Sequence, residues 1–103
     1  MKNVFVPLYT KHFNDFKSGV KTEELRLYGK RWNEKTCLVG RKITLSKGYG
    51  KHERLYGTIS KFKKQHGSLF GSTYRADILE RYGTIDVLIA CISIMYISNT
   101  NNQ

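Results

Sequence analysis

The chain contains only two cysteines among its 103 residues, Cys37 and Cys91. They stand far apart, and neither has a second Cys or a His at the short spacing used by structural zinc sites. No disulfide framework is therefore expected, and Cys91, inside the apolar run 85–97, reads as a small buried hydrophobe. Proline occurs once, at Pro7, and apolar and charged residues make up 40% and 25% of the chain; this composition excludes global disorder. No apolar run reaches the roughly 20 residues needed to cross a bilayer, and the longest, 85–97, is interrupted by Asp86. A membrane partner is not expected. The first residues lack an apolar stretch followed by a small-residue cleavage site, so the expected compartment is the cytoplasm. His12, His52 and His66 are scattered, without the spacing of a metal or nucleophile motif, so neither a metal nor another cofactor is expected. Of the three, His52 beside a basic turn is a candidate general acid or base for phosphodiester cleavage. Ser46 has no nucleophile-elbow context.

Acidic residues are scarce as well: 8 Asp and Glu face 18 Lys and Arg, for a formal charge of +10. Fourteen basic and four acidic residues lie between Lys17 and Lys64, so this segment carries the whole surplus while the C-terminal third is nearly neutral. Such asymmetry predicts one positive face and a polyanionic partner, RNA or another nucleic acid. A basic surface that only keeps the protein soluble, or one that binds an acidic protein, would give the same composition.

The pattern of residues predicts an α+β domain over residues 1–97 with a polar tail over 98–103. Val4-Phe5-Val6, stopped by Pro7, reads as a first strand. Thr10 is a candidate cap for a helix over 11–18, and Gly19 suits its left-handed exit. Residues 23–28 alternate, with Leu25 and Leu27 on one face and Glu24, Arg26 and Tyr28 on the other. Residues 41–46 and 54–62, joined through Gly48-Tyr49-Gly50, predict a hairpin with a basic rim, in which Gly57 marks a bulge or bend. Tyr74, Ile78 and Tyr82 stripe a second helix over 72–82. The β-branched run 85–97 predicts a central strand buried on both faces. A small curled barrel with two flanking helices fits this order.

At Gly19-Val20-Lys21-Thr22-Glu23-Glu24-Leu25-Arg26 the chain resembles the signature of the ASCH family, written loosely as G-x-K-T-x-E-x-R between the first helix and the next strand. Ile43 to Lys51 is similar to the strand and Gly-rich turn of the same family, and the resemblance extends over residues 4 to 97. It implies a PUA-like β-barrel with a cleft beside the Lys-Thr-x-Glu-x-Arg strand, and an association with RNA binding or RNA and nucleoside chemistry. In one branch a Lys, a Thr and a Glu hydrolyse the acetyl group of N4-acetylcytidine, and the residue matching that nucleophilic Thr here is Glu24. An ionised carboxylate is not a hydroxyl nucleophile and repels a developing oxyanion, which disfavours this amidohydrolase activity. Asp77 and Glu80 stand near the remaining carboxylate position without a motif that aligns either.

The candidate nucleic-acid contacts are Lys21, Thr22, Arg26, Arg31, Trp32, Lys47, Tyr49 and Lys51. Lys21 and Arg26 present cations to phosphate or carbonyl oxygens, Thr22 adds a hydroxyl, Tyr49 between two glycines is the better candidate ring for stacking on a base, and Trp32 either stacks in the same way or packs over the barrel end. Glu24, two residues from Arg26 on the same strand face, orients the guanidinium or accepts a base-edge donor. Lys61-Phe62-Lys63-Lys64 extends a phosphate track or forms a solvated strand end. The first reading is an RNA-binding module. The alternative is an enzyme on the same scaffold, a metal-independent ribonuclease or modified-nucleoside hydrolase, with Lys21 and Glu24 as catalytic proton-transfer groups. A small basic interaction protein is the third class.

Overall fold

The computed structural model describes residues 2–50 and 53–101. Its elements are β1 (Val4–Leu8), α1 (Thr10–Ser18), β2 (Glu23–Leu27), β3 (Lys42–Lys47), β4 (Arg54–His66), α2 (Ser72–Tyr82) and β5 (Leu88–Ser98), with a short 3-10 turn over Gly67–Leu69 before α2. The strands form one sheet in the order β1-β3-β4-β5-β2, in which β1 and β3 are parallel and the other pairs antiparallel. The result is a small α+β domain whose five-stranded sheet curls into a half-barrel, with two helices.

The period-two placement of apolar residues explains how one sheet supports two cores. Ala90, Ile92 and Ile94 of β5 enter a cluster with Val6, Phe13, Phe16, Ile43, Leu45 and Ile59, while Ile89 and Cys91 enter a second with Leu25, Phe70 and Ile78. The first cluster takes the apolar side of α1. The second takes that of α2, including the ring-bearing stripe of Tyr74 and Tyr82. β5 is thus buried on both faces over 89–92, as its unbroken apolar sequence predicts.

Several boundaries differ from the sequence reading. β1 is not stopped by Pro7 but runs through it to Leu8, because β1 is an edge strand paired with β3 on one side only, where a proline without an N–H is tolerated. Thr10 is the first residue of α1 rather than its cap: Tyr9 holds the capping position without a side-chain bond. The reason is that β1 runs almost directly into the helix, the Leu8 carbonyl accepting from Gly48 N–H and the Tyr9 carbonyl from Phe13 N–H. β4 extends four residues beyond the expected end, because residues through His66 pair with β5 while Lys61, Lys63 and Lys64 keep their heads exposed. β5 starts at Leu88 rather than residue 85, since Ile85 and Val87 pack against the second core before the strand begins. At the exit of α1, Gly19 adopts φ 84° and returns its N–H to the Phe16 carbonyl, the left-handed geometry that glycine adopts without a Cβ clash.

The curl of the sheet is localised. The β4–β5 register slips between Tyr56 and Thr58 and again between Ile59 and Lys61, and Tyr96 opposite takes a positive φ of 57°. Gly57 sits in the first slip. A Cβ there would lie 2.7 Å from Cγ2 of Ile94 and 3.1 Å from the Met95 carbonyl oxygen, and a β-branched neighbour has little freedom to swing away. Gly57→Ala is therefore expected to cost about 1–3 kcal/mol, measured as a lowered urea midpoint at unchanged slope.

Candidate functional site

The Gly19–Arg26 stretch places its charges at one edge of the sheet. Along β2, Leu25 turns into the second core while Glu24 and Arg26 turn to the opposite face. Glu24 has no solvent exposure. A carboxylate in such surroundings needs partners, and three cations supply them. Lys21 Nζ donates to Oε1 at 3.0 Å, Arg26 Nε to Oε2 at 2.7 Å, and Arg81 Nη2 to Oε2 at 3.4 Å. Burial pushes the Glu24 pKa up, yet the fields of Lys21, Arg26 and Arg81 outweigh it and hold the group below the ordinary carboxylate value.

Each cation does a second task. Arg26 Nη2 donates to the Pro7 carbonyl at 2.7 Å, joining the two edge strands, β2 and β1, across the opening of the half-barrel. Its guanidinium also lies 5.0 Å from the centre of the Trp32 ring. Lys21 Nζ stands 3.1 Å from His12 Nδ1. An ammonium only donates, so Nδ1 is the acceptor and the neutral imidazole carries its hydrogen on Nε2. Burial lowers the His12 pKa, Lys21 and Arg81 lower it further, and Asp77 and Glu24 offset them only in part. Arg81 also faces Asp77, one helical turn earlier on α2, at 3.6 Å.

A two-lobed cleft opens over this group. One lobe, about 280 Å³, is lined by Pro7, Leu8, Gly48 and Tyr49 together with Tyr9, His12, Arg26 and Arg81. The other, about 460 Å³, shares those last four residues and adds Lys11, Asp77, Glu80 and Tyr82. Volumes of this order lie in or near the range of roughly 300–1,000 Å³ typical of small-ligand sites. Among the described residues no group of three or more His, Cys, Asp or Glu side chains is arranged to hold a metal ion.

The predicted contacts divide. Arg26 and Tyr49 line the cleft, Tyr49 with 74% of its surface open at the tip of the β3–β4 turn. Lys21 supports the cleft from beneath through His12 and Glu24. Thr22 is exposed, its carbonyl accepting from Ile94 N–H, but it does not line either lobe. Of the two readings of Trp32 the structure shows the packed one: it is 8% exposed, in the first core, with the guanidinium groups of Arg26 and Arg31 5.0 and 5.1 Å from its ring centre. Arg31 is exposed, and Lys47 is half-buried, 4.0 Å from Glu53. Lys51, and with it His52, lies outside the described residues. Glu24 does not fit a proton-transfer role, because both of its oxygens are occupied by cations and neither meets solvent. Comparison with protein-family models, with curated proteins and with solved structures finds no match.

Sequence reasoning missed Arg81 and the use of His12 and Tyr9. The Asp77–Arg81 spacing of four was the one local signal, and it marks a shared helix face without saying what the face meets. Removal of the hub charge gives a direct check. Glu24→Gln leaves Lys21 and Arg26 without their counter-charge and Arg81 with Asp77 alone, and is expected to cost about 3–5 kcal/mol. Because the folded pKa is lowered, the wild-type contribution is complete above the ordinary Glu value of about 4.3 and is lost as pH falls through it toward the folded value. Urea unfolding from about pH 7 to about pH 3 should show the gap between wild type and variant closing on acidification.

Proposed function

We propose that this protein is an ASCH-type, PUA-like module that binds single-stranded RNA, with phosphates held by exposed lysines and arginines and one nucleotide admitted to the cleft. The observation that carries the reading is the pairing, in one cleft, of an exposed ring at a hairpin tip, Tyr49, with two guanidinium groups held in place from beneath, Arg26 and Arg81. A ring with open faces stacks on any base, and adjacent cations hold the backbone. The position of the Lys-Thr-x-Glu-x-Arg stretch supports the same reading, since its Arg26 lines the cleft and its Lys21 braces it.

Charge supplies the remaining support. Lys30, Arg31, Lys35, Lys42, Lys61, Lys63 and Lys64 are exposed. Lys64 lies 4.6 Å from the centre of the Tyr28 ring and Lys63 lies 5.4 Å from that of Phe70. These residues provide affinity without sequence preference, whereas the cleft provides position. Among the described residues no helix is long and apolar enough to cross a membrane.

A fluorescently labelled single-stranded RNA followed by anisotropy tests the proposal. Affinity should fall on the order of tenfold or more between about 50 and about 200 mM salt if some three phosphates are neutralised. Tyr49→Ala, at an exposed turn, should weaken binding by about 1–3 kcal/mol while leaving the fold intact. Absence of binding at low salt overturns the proposal. Shortening of the RNA that disappears in Lys21→Ala moves the function to a ribonuclease.

A further inference from the structure

The second lobe of the cleft holds polar groups whose hydrogen-bonding capacity the protein leaves unused. Asp77 is partly exposed, and its two oxygens meet His12 Nε2 at 3.9 Å and Arg81 Nη1 at 3.6 Å. Both contacts exceed hydrogen-bond length. Among the described residues Arg81 Nη1 is sealed from solvent and has no hydrogen-bond partner, a rare condition for a buried donor. His12 presents Nε2–H, because Lys21 occupies Nδ1. One acceptor, the Asp77 carboxylate, therefore stands between two donors.

The geometry points to a base with an imide edge, uracil or thymine, as the group this lobe selects, an inference that rests on the nucleic-acid reading above. Such an edge runs carbonyl, N–H, carbonyl and is the complement of the array. Asp77 accepts from the ring N–H, His12 Nε2–H donates to one carbonyl, and Arg81 Nη1 donates to the other once Asp77 turns from its long contact with that nitrogen. Tyr9, 81% exposed, and the half-buried Tyr82 line the same lobe and offer ring faces to a planar group. Cytosine places an unprotonated nitrogen against the Asp77 carboxylate and an amino group against a donor. Buried polar groups left without partners in this way reject a wrong ligand strongly.

Uracil and cytosine 12-mers of RNA carry the same backbone charge, so a difference between them that Asp77→Asn abolishes reads the base edge. Wild-type protein should bind the uridine oligomer on the order of tenfold more tightly than the cytidine oligomer at equal salt. Asp77→Asn keeps the size of the side chain but presents a donor beside its acceptor, and it should bring the two affinities within about twofold while the salt dependence persists. Equal wild-type affinities with a steep salt dependence would overturn the imide selection and leave RNA binding standing. No binding of either oligomer would overturn both. A preference that survives in Asp77→Asn would remove Asp77 from the recognition and with it the array.

Discussion

One carboxylate cut off from water sets the terms for the rest of the molecule. Glu24 contributes nothing by exposure to solvent, and its ionised form persists only because Lys21, Arg26 and Arg81 surround it. These partners come from three places: the segment after α1, the strand β2 itself, and the last turn of α2. Arg26 carries the link on to β1 through the Pro7 carbonyl. A buried ion cluster is a weak source of net stability, because desolvation offsets much of the attraction. Its value here is geometric: each arm of the cluster fixes the distance between elements that the sheet's own hydrogen bonds do not connect.

The same cluster prepares the surface above it. A guanidinium on a free side chain loses rotamer entropy when it grips a ligand. Arg26 and Arg81 are already held, by Glu24 below and by Trp32, Pro7 and Asp77 at the sides, so this cost is met on folding. The buried Trp32 belongs to this arrangement: the guanidinium groups of Arg26 and Arg31 lie 5.0 and 5.1 Å from its ring centre, so the ring restrains cations. Among the described residues, the exposed Lys63 and Lys64 of β4 lie over the Phe70 and Tyr28 rings without a carboxylate partner like Glu24 beneath them.

Much of the fold was legible because it follows from local rules. The apolar run at the C-terminus predicted a strand buried on both faces, and the Tyr74-Ile78-Tyr82 stripe predicted the helix over 72–82 with its ringed side in the core. Gly57 was readable as a bend because a glycine within a strand pattern has few other uses. Less legible were the ends of elements. The cap of α1 and the last four residues of β4 depend on a neighbouring turn and a partner strand, which carry no signature in the segment itself.

The candidate site divides along the same line. By itself the sequence determined that Glu24 and Arg26 share a strand face, since two-residue spacing does so in any strand, and that Tyr49 stands open between two glycines. It determined the surplus of positive charge and the segment that bears it. Only the tertiary structure decided that Glu24 is buried rather than at the mouth of the cleft, that Arg81 completes its shell from 57 residues away, and that His12 and Asp77 face each other across the second lobe. The physical reason is that burial and unmet hydrogen-bonding capacity are properties of what packs around a group, and here those neighbours come from an edge strand and two helices brought together by the curl of the sheet.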